Sequence, residues 1–251
     1  MTEDRRFGGI ERLYGLQGAQ QIRQAHVVVV GVGGVGSWAA ESLARSGVGK
    51  LTLIDLDHVA ESNINRQIHA TEASLGQAKV LAMRERIHTF FPQCDIHGVE
   101  EFASSSNWAE LLPVGVDAVI DACDQSQVKT FLSHWALRTG TIFIASGAAG
   151  GKRHAQLVSV DDLSRVTHDP LLSKMRYRLR KEFGAPRGER AMGVTCVFSR
   201  EEVAPPDASC NITSDGSLNC HGFGSVVAVT ATFGHCAAGY VLNCLATRNL
   251  K

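Results

Sequence analysis

The chain carries no net charge: 25 Lys and Arg stand against 25 Asp and Glu in 251 residues. That excludes a globally basic nucleic-acid binder and leaves only locally basic ones. None of its seven cysteines forms a Cys-x-x-Cys pair, so a four-cysteine site has no framework and no zinc is expected. No apolar segment opens the chain, Met1–Arg12 being polar and charged, so reduced thiols in a cytoplasmic setting are expected. Repeats and low-complexity tracts are absent. The 44% apolar content is far from a disordered composition. Glycine, by contrast, is plentiful at 25 residues, which points to turns where backbone meets ligand.

Strands and helices alternate in the first half, the pattern of a parallel sheet covered on both faces. Runs His26–Gly31, Leu51–Asp55, Val116–Asp121 and Thr141–Ala145 are short, apolar and rich in β-branched residues, as doubly buried strands should be. Helical spacing falls between them over Val35–Ser46, Gln77–Phe90 and Gln125–Arg138. Further strands are expected over Ala155–Val160 and Met192–Ser199. The expected fold is α/β, a Rossmann-like and mostly parallel sheet with helices on both faces and a C-terminal extension. It forms one domain over residues 1–251, with a basic insertion at about 168–190 and a polar loop at about 201–218. Phe223–Ala246 approaches the ~20 residues of a membrane span. It contains His235 and Asn243, which would be costly at a bilayer midplane, so a buried helix is expected and membrane association is the lesser reading.

Gly31-Val-Gly33-Gly34-Val-Gly36 follows a strand and opens a helix. Such a loop lets backbone N–H groups approach phosphate oxygens, and the helix N-terminus favours negative charge. With Asp55 ending the second strand, where a ribose hydroxyl would sit, the loop alone favours an NAD enzyme. The residues beyond it argue for ATP. Asp57, Asn63, Arg66 and Gln67 follow the second strand, Lys79 stands near the start of the next helix, and Asp121 and Asp124 flank the end of a later strand. Arg66 offers planar donors to phosphate, Lys79 a point charge, and the aspartates a magnesium site. Attack at an ATP α-phosphate needs cations and a metal, whereas hydride transfer needs neither.

Gly31–Ser37, Asp55–Asp57, Ser62–Gln67, Gly76–Lys79 and Asp121–Asp124 together resemble the adenylating domain of the ubiquitin-activating-like superfamily of ThiF/MoeB type. Within it the flanks Arg6–Gly15, Asn65–His69, His168–Leu171, Gly193–Ser199 and Thr230–Gly234 are most similar to the tRNA threonylcarbamoyladenosine dehydratases (TcdA/CsdL type). The resemblance implies ATP and Mg2+ as cofactors. Asp55 would lie on the ribose, the four loop glycines on the adenine and ribose side, and Asn63 and Arg66 on the phosphates. Lys79 would lie by the α-phosphate and Asp124 on the metal. It implies adenylation of the threonyl carboxylate of threonylcarbamoyladenosine in tRNA, then attack by the neighbouring carbamoyl group with loss of AMP. That nucleophile is tethered, so effective molarity replaces a catalytic thiol. The alternative is adenylation of the C-terminus of a ubiquitin-like sulfur-carrier protein, which the missing Cys-x-x-Cys pairs disfavour.

A homodimer is implied as well. The superfamily's N-terminal arginine, which reaches the partner's ATP, is replaced here by Gly9, and Arg12 one helical turn later is its candidate substitute. Contacts to tRNA are expected from Lys174, Arg176, Arg178, Arg180 and Lys181, on a helix basic around much of its girth, and from Lys152 and Arg153. Cys210 and Cys220, in or beside the polar loop, are the expected exposed thiols and the candidates for exchange with a cysteine-desulfurase or sulfur-acceptor system. Cys123 and Cys196 are expected to pack, and His221 and His235 to be structural.

Overall fold

Four consecutive valines behind His26 set the centre of the sheet. The computed structural model describes residues 5–188, 190–207, 209 and 223–248. In chain order the strands are β1 (His26–Val30), β2 (Lys50–Ile54), β3 (Asp95–Val99), β4 (Ala118–Asp121), β5 (Ile142–Ser146), β6 (Val158–Asp162) and β7 (Thr195–Ser199). They form one sheet in the order β3-β2-β1-β4-β5-β7-β6. Every pairing is parallel except that of β6 with β7. The helices are α1 (Gly8–Gln24), α2 (Gly36–Arg45), α3 (Lys79–His88), α4 (Trp108–Leu111), α5 (Ser126–Thr139), α6 (Pro170–Phe183) and α7 (Val227–Ala246).

Because side chains alternate along a strand, β1 feeds two cores. Val27 and Val29 join Leu43, Met83, Phe233 and Val241 from α2, α3 and α7 on one face. Val28 and Val30 join Trp108, Leu132, Met175 and Leu179 from α4, α5 and α6 on the other. With β1 between β2 and β4, the chain leaves the centre in both directions, and the carboxyl ends of β1 and β4 form the switch point where such sheets bind ligands.

The β3 edge strand and α1 are findings beyond the expected elements. β3 reads Asp-Ile-His-Gly-Val and pairs with β2 from Asp95 opposite Lys50, without an apolar run to mark it. α1 is interrupted at Gly15, which has φ 73° and ψ 167°. Ala155–Leu157 is a 3₁₀ turn and not strand, so β6 starts at Val158. β7 starts at Thr195, because Asp162 ties down the segment before it by accepting from Met192 N and Gly193 N at 2.9 and 2.7 Å.

The expectation for α6 is corrected. Leu171, Leu172, Met175 and Leu179 form a buried stripe, so the helix is amphipathic and supplies part of a core. α7 is the expected buried helix, and among the described residues no helix is long and apolar enough to cross a membrane. It meets α2 at Gly234, where an added Cβ would lie 2.6 Å from Val35 O and 2.7 Å from Trp38 Cβ. Gly234→Ala should therefore lose about 1–3 kcal/mol in urea unfolding. Gly239→Ala, with no atom within 4 Å of the new Cβ, should be neutral or slightly stabilising as the matched control.

Candidate active site

The four loop glycines do different work. Gly31 has φ 83°, and a Cβ there would stand 2.9 Å from the carbonyl of Ala122 and from Cys123 N. At Gly36 a Cβ would stand 1.8 Å from Gly31 O, so these two glycines let the strand turn into the helix beside β4. Gly34 faces Thr230 and the Arg66 stem at 3.3–3.4 Å. Gly33 meets only Gln67 Nε2, at 3.9 Å, and leaves the approach to the loop open.

Asp55 fastens this loop to the end of β2. Its carboxylate accepts from Val32 N at 2.6 Å and from Asp57 N at 2.9 Å. Burial pushes its carboxyl above the usual range, against the opposing pull of Lys79 and the two N–H donors. Lys79 opens α3, almost wholly enclosed, with Nζ 2.7 Å from the exposed carboxylate of Asp57. Asn63 is buried and accepts from Ala60 N at 3.0 Å, closing the turn that carries Arg66. The Arg66 guanidinium donates to Ser62 O at 2.6 Å and Asn65 Oδ1 at 3.0 Å. Trp38 Nε1 donates to the Arg66 carbonyl at 2.9 Å and Thr230 Oγ1 lies 3.5 Å from it, so α2 and α7 hold this turn over the loop. Gln67 Oε1 and Ser37 Oγ, both buried beside the loop, have no hydrogen-bond partner. Unsatisfied buried oxygens of this kind are what a polar ligand would complete.

The end of β4 departs from the expected magnesium pair. Asp121 is fully buried, its Oδ2 3.1 Å from Nζ of the equally buried Lys129, which also donates to Asp121 O at 3.2 Å. Burial pulls the Lys129 pKa down, but Asp121 and the neighbouring groups together hold the ammonium above its usual value. Asp121 therefore faces the core and fixes the following turn through Cys123 N, which donates to its Oδ1 at 3.2 Å. Asp124 alone is exposed at the strand end. Among the described residues no three His, Cys, Asp or Glu cluster as a metal cage. Lys129 lies on the inward stripe with Leu132, Ser133 and Ala136, and that helical spacing is the signal by which sequence could have found it.

Other expected residues fall apart from this group. Arg12 is exposed on α1, which lies along the opposite, amino edge of the sheet. Phe7 covers Gly47 ahead of β2, and a Cβ on Gly49 would lie 2.2 Å from Arg23 O. Arg12 therefore does not join the site of its own chain. Lys152 is buried and donates to the carbonyls of His168 (2.9 Å) and Glu201, so its ammonium is enclosed and out of reach of RNA; burial also lowers its pKa. Arg176 donates to Leu163 O and Val166 O at 3.0 and 2.8 Å, Arg180 to Pro186 O and Gly188 O at 3.0 and 3.1 Å, and Arg178 pairs with Glu182 at 3.1 Å. Arg153, Lys174 and Lys181 are exposed. Cys196 is buried, as expected, and Cys123 is partly so. His235 bonds Ser42 Oγ at 2.6 Å. Cys210, Cys220 and His221 lie outside the described residues.

Residues 8–250 match the ThiF family. The chain is 42% identical over 246 residues to the tRNA threonylcarbamoyladenosine dehydratase of Escherichia coli (strain K12), covering 94% of this chain and 92% of that one. It is 39% identical over 242 residues to the Haemophilus influenzae protein of that name, covering 96% and 93%. The crystal structure of the E. coli tRNA N6-threonylcarbamoyladenosine dehydratase in complex with ATP superposes with a TM-score of 0.88 at 40% identity, over 98% of this chain and 95% of that one.

Two outcomes follow from the buried charges. Lys129→Met strands the Asp121 carboxylate and should cost about 3–5 kcal/mol in urea unfolding, whereas Lys129→Met with Asp121→Leu should recover most of that loss. His69, with both ring nitrogens unpartnered, is held down to about 4 from 6.5 by burial, with Lys79 and Arg86 adding to it. Between those values the unfolded chain takes up a proton there and the folded chain does not, so stability falls as pH falls through the window. Going from about pH 7.5 to about pH 5, His69 should account for about 2 kcal/mol of lost stability. His69→Leu should remove that share, and an unchanged acid limb would clear His69 of it.

Proposed function

The chain belongs to the ThiF family, and from that premise we propose that it catalyses the ATP-dependent dehydration of threonylcarbamoyladenosine in tRNA through a carboxyl-adenylate. One observation carries the reading. An open glycine loop, an enclosed Lys79 paired with Asp57, the Arg66 turn and an exposed Asp124 all flank the carboxyl ends of β1, β2 and β4. Those elements belong to a chain 42% identical to a dehydratase over nearly its whole length.

In this reading residues 1–251 act as one adenylating unit, in the cytoplasm where its tRNA resides. Nucleotide lies over the glycine loop, with the ribose on Asp55 and the phosphates toward Asn63, Arg66 and Gln67. Binding phosphate turns the Arg66 guanidinium from Ser62 O to the ligand. Lys79, held in place by Asp57, stabilises negative charge that develops at the α-phosphorus when the threonyl carboxylate attacks and pyrophosphate leaves. The carbamoyl nitrogen or oxygen of the same nucleoside then attacks the activated carbonyl, the C–O bond to phosphate breaks, and AMP departs. Tethering supplies the effective concentration for that second step. A lone exposed carboxylate suits Mg2+ brought in by ATP, since magnesium takes one or two carboxylates alongside substrate phosphates. Asp124 would hold it, and the ion would neutralise phosphate charge.

The assembly we propose is a homodimer. Leu13 and Leu16 stand 73% and 77% exposed on α1 beside Arg12, an apolar surface that a second copy would cover. Arg12, absent from its own site, would then reach the partner's ATP. No zinc enters this reading, and exchange of sulfur at Cys210 or Cys220 stands outside the reaction.

The test is nucleoside mass spectrometry of tRNA from a strain lacking this protein, complemented with wild type, Lys79→Ala or Asp124→Ala. Wild type should restore the cyclised nucleoside. Each variant should fold normally yet turn over about 10²–10³ more slowly in vitro. A tRNA modification profile that does not change on deletion would sink the reading.

A further inference from the structure

We propose that the cleft between the start of α5 and the outer face of α6 is a single-nucleotide RNA pocket. It would take the unstacked modified adenosine and hold it beside Asp124. This rests on the function proposed above. The cleft, of about 380 Å³, is lined by Ser126, Ser173, Lys174, Tyr177 and Arg178. That volume lies within the ~300–1,000 Å³ of small-ligand sites. Its place follows from the chain: Ser126 is the first residue of α5, two residues past Asp124, so the cleft opens on the edge where adenylation would occur.

Its chemistry is that of a splayed nucleotide. Tyr177 is 63% exposed on a helix whose opposite face is core, which leaves its ring free for a base. The Lys181 ammonium stands 6.0 Å from that ring's centroid. Ser126 and Ser173 offer hydroxyls to a base edge or a 2′-OH. Lys174 makes no ion pair or hydrogen bond among the described residues, and Arg178 keeps a buried Nε without a partner. The cations of α6 sort accordingly. Arg176 and Arg180 are consumed by backbone carbonyls and Arg178 pairs with Glu182, whereas Lys174 and Lys181 stand exposed at or beside the cleft. A chain with no net charge must hold RNA by such local groups, and an aromatic face among cations is how single-stranded nucleotides are bound. A nucleoside in a duplex could not enter, so the substrate adenosine must be extruded.

The experiment uses the full chain and two fluorescent probes, an unmodified anticodon stem–loop RNA and a blunt RNA duplex, titrated across KCl concentrations. Tyr177→Ala should weaken stem–loop binding by about tenfold or more, the loss of one stacked base. Its salt slope and ATP affinity should not change, and Tyr177→Phe should bind as wild type does. Lys174→Gln should weaken binding with a shallower slope. Arg138→Gln, exposed at the far end of α5, should change nothing. Tyr177→Ala should also raise KM for tRNA. Wild-type stem–loop affinity in Tyr177→Ala, or an equal loss with the duplex, would overturn the pocket. If wild type binds the stem–loop through Tyr177 yet forms no cyclised product from threonylcarbamoylated tRNA and ATP, the proposed function fails and the pocket stands. If product forms and Tyr177→Ala is indistinguishable from wild type, the pocket fails alone.

Discussion

Two turns touch backbone to backbone at the centre of this molecule, and the site depends on that contact. The turn leaving β1 passes so close to the turn leaving β4 that Gly31 has no room for a methyl group against the Ala122–Cys123 peptide. Gly36 is equally confined against Gly31. With both turns fixed at van der Waals distance, the loop between them has little freedom. Its backbone is held at the sheet edge by these contacts and by the Asp55 carboxylate on Val32 N. Preorganisation of this kind is where electrostatic catalysis gets its strength.

Buried charge holds the second of those turns. Lys129 and Asp121 are both wholly enclosed, an arrangement that gains little net stability over an apolar pair but tolerates no single loss. Its structural consequence is specific. Asp121 receives Lys129 on one oxygen and Cys123 N on the other, so the ammonium on α5 fixes where the chain runs between β4 and Asp124. Asp55 does the corresponding work at β2 through Val32 N and Asp57 N. Two strand-end aspartates thus shape the loops, and the exposed Asp57 and Asp124 beyond them are left to meet Lys79 and solvent.

Elements that bury apolar residues on both faces were legible in the sequence, because β1, β2, β4 and β5 leave no alternative to a central strand. The glycine loop and the acidic strand ends were legible for the same reason: their spacing is fixed by the turn they make. Edge and surface elements were not. β3 has only two apolar side chains in five residues, and α1 hides behind Gly8, Gly9, Gly15 and Gly18, each of which weakens a helical signal. The apolar stripe Leu171, Leu172, Met175 and Leu179 was present to be read, but alternating cations masked it. Which aspartate faces the core could not be read at all. Asp121 and Asp124 differ by three positions, and only the packing of Lys129 from a separate helix decides between them. Likewise nothing local to Lys152 announces that His168 and Glu201 enclose it.

The same packing bears on the order of the chemistry. An adenylate can be resolved by a thiol of the enzyme or by a nucleophile on the substrate, and Cys123 is the thiol next to Asp124. Burial, reinforced by the neighbouring Asp121 carboxylate, pushes that thiol well above its ordinary pKa. Thiolate is the nucleophilic form, so near neutral pH this sulfur stays protonated and inert. Cys196, on β7 and separated from β4 by β5, is raised in the same way and is fully buried. Among the described residues, then, the strand ends offer no prepared thiol to receive an activated carboxylate, which suits a substrate carrying its own nucleophile. For such a substrate the protein need only align one nucleoside with one phosphate, and rigid turns fixed by buried charge can do that.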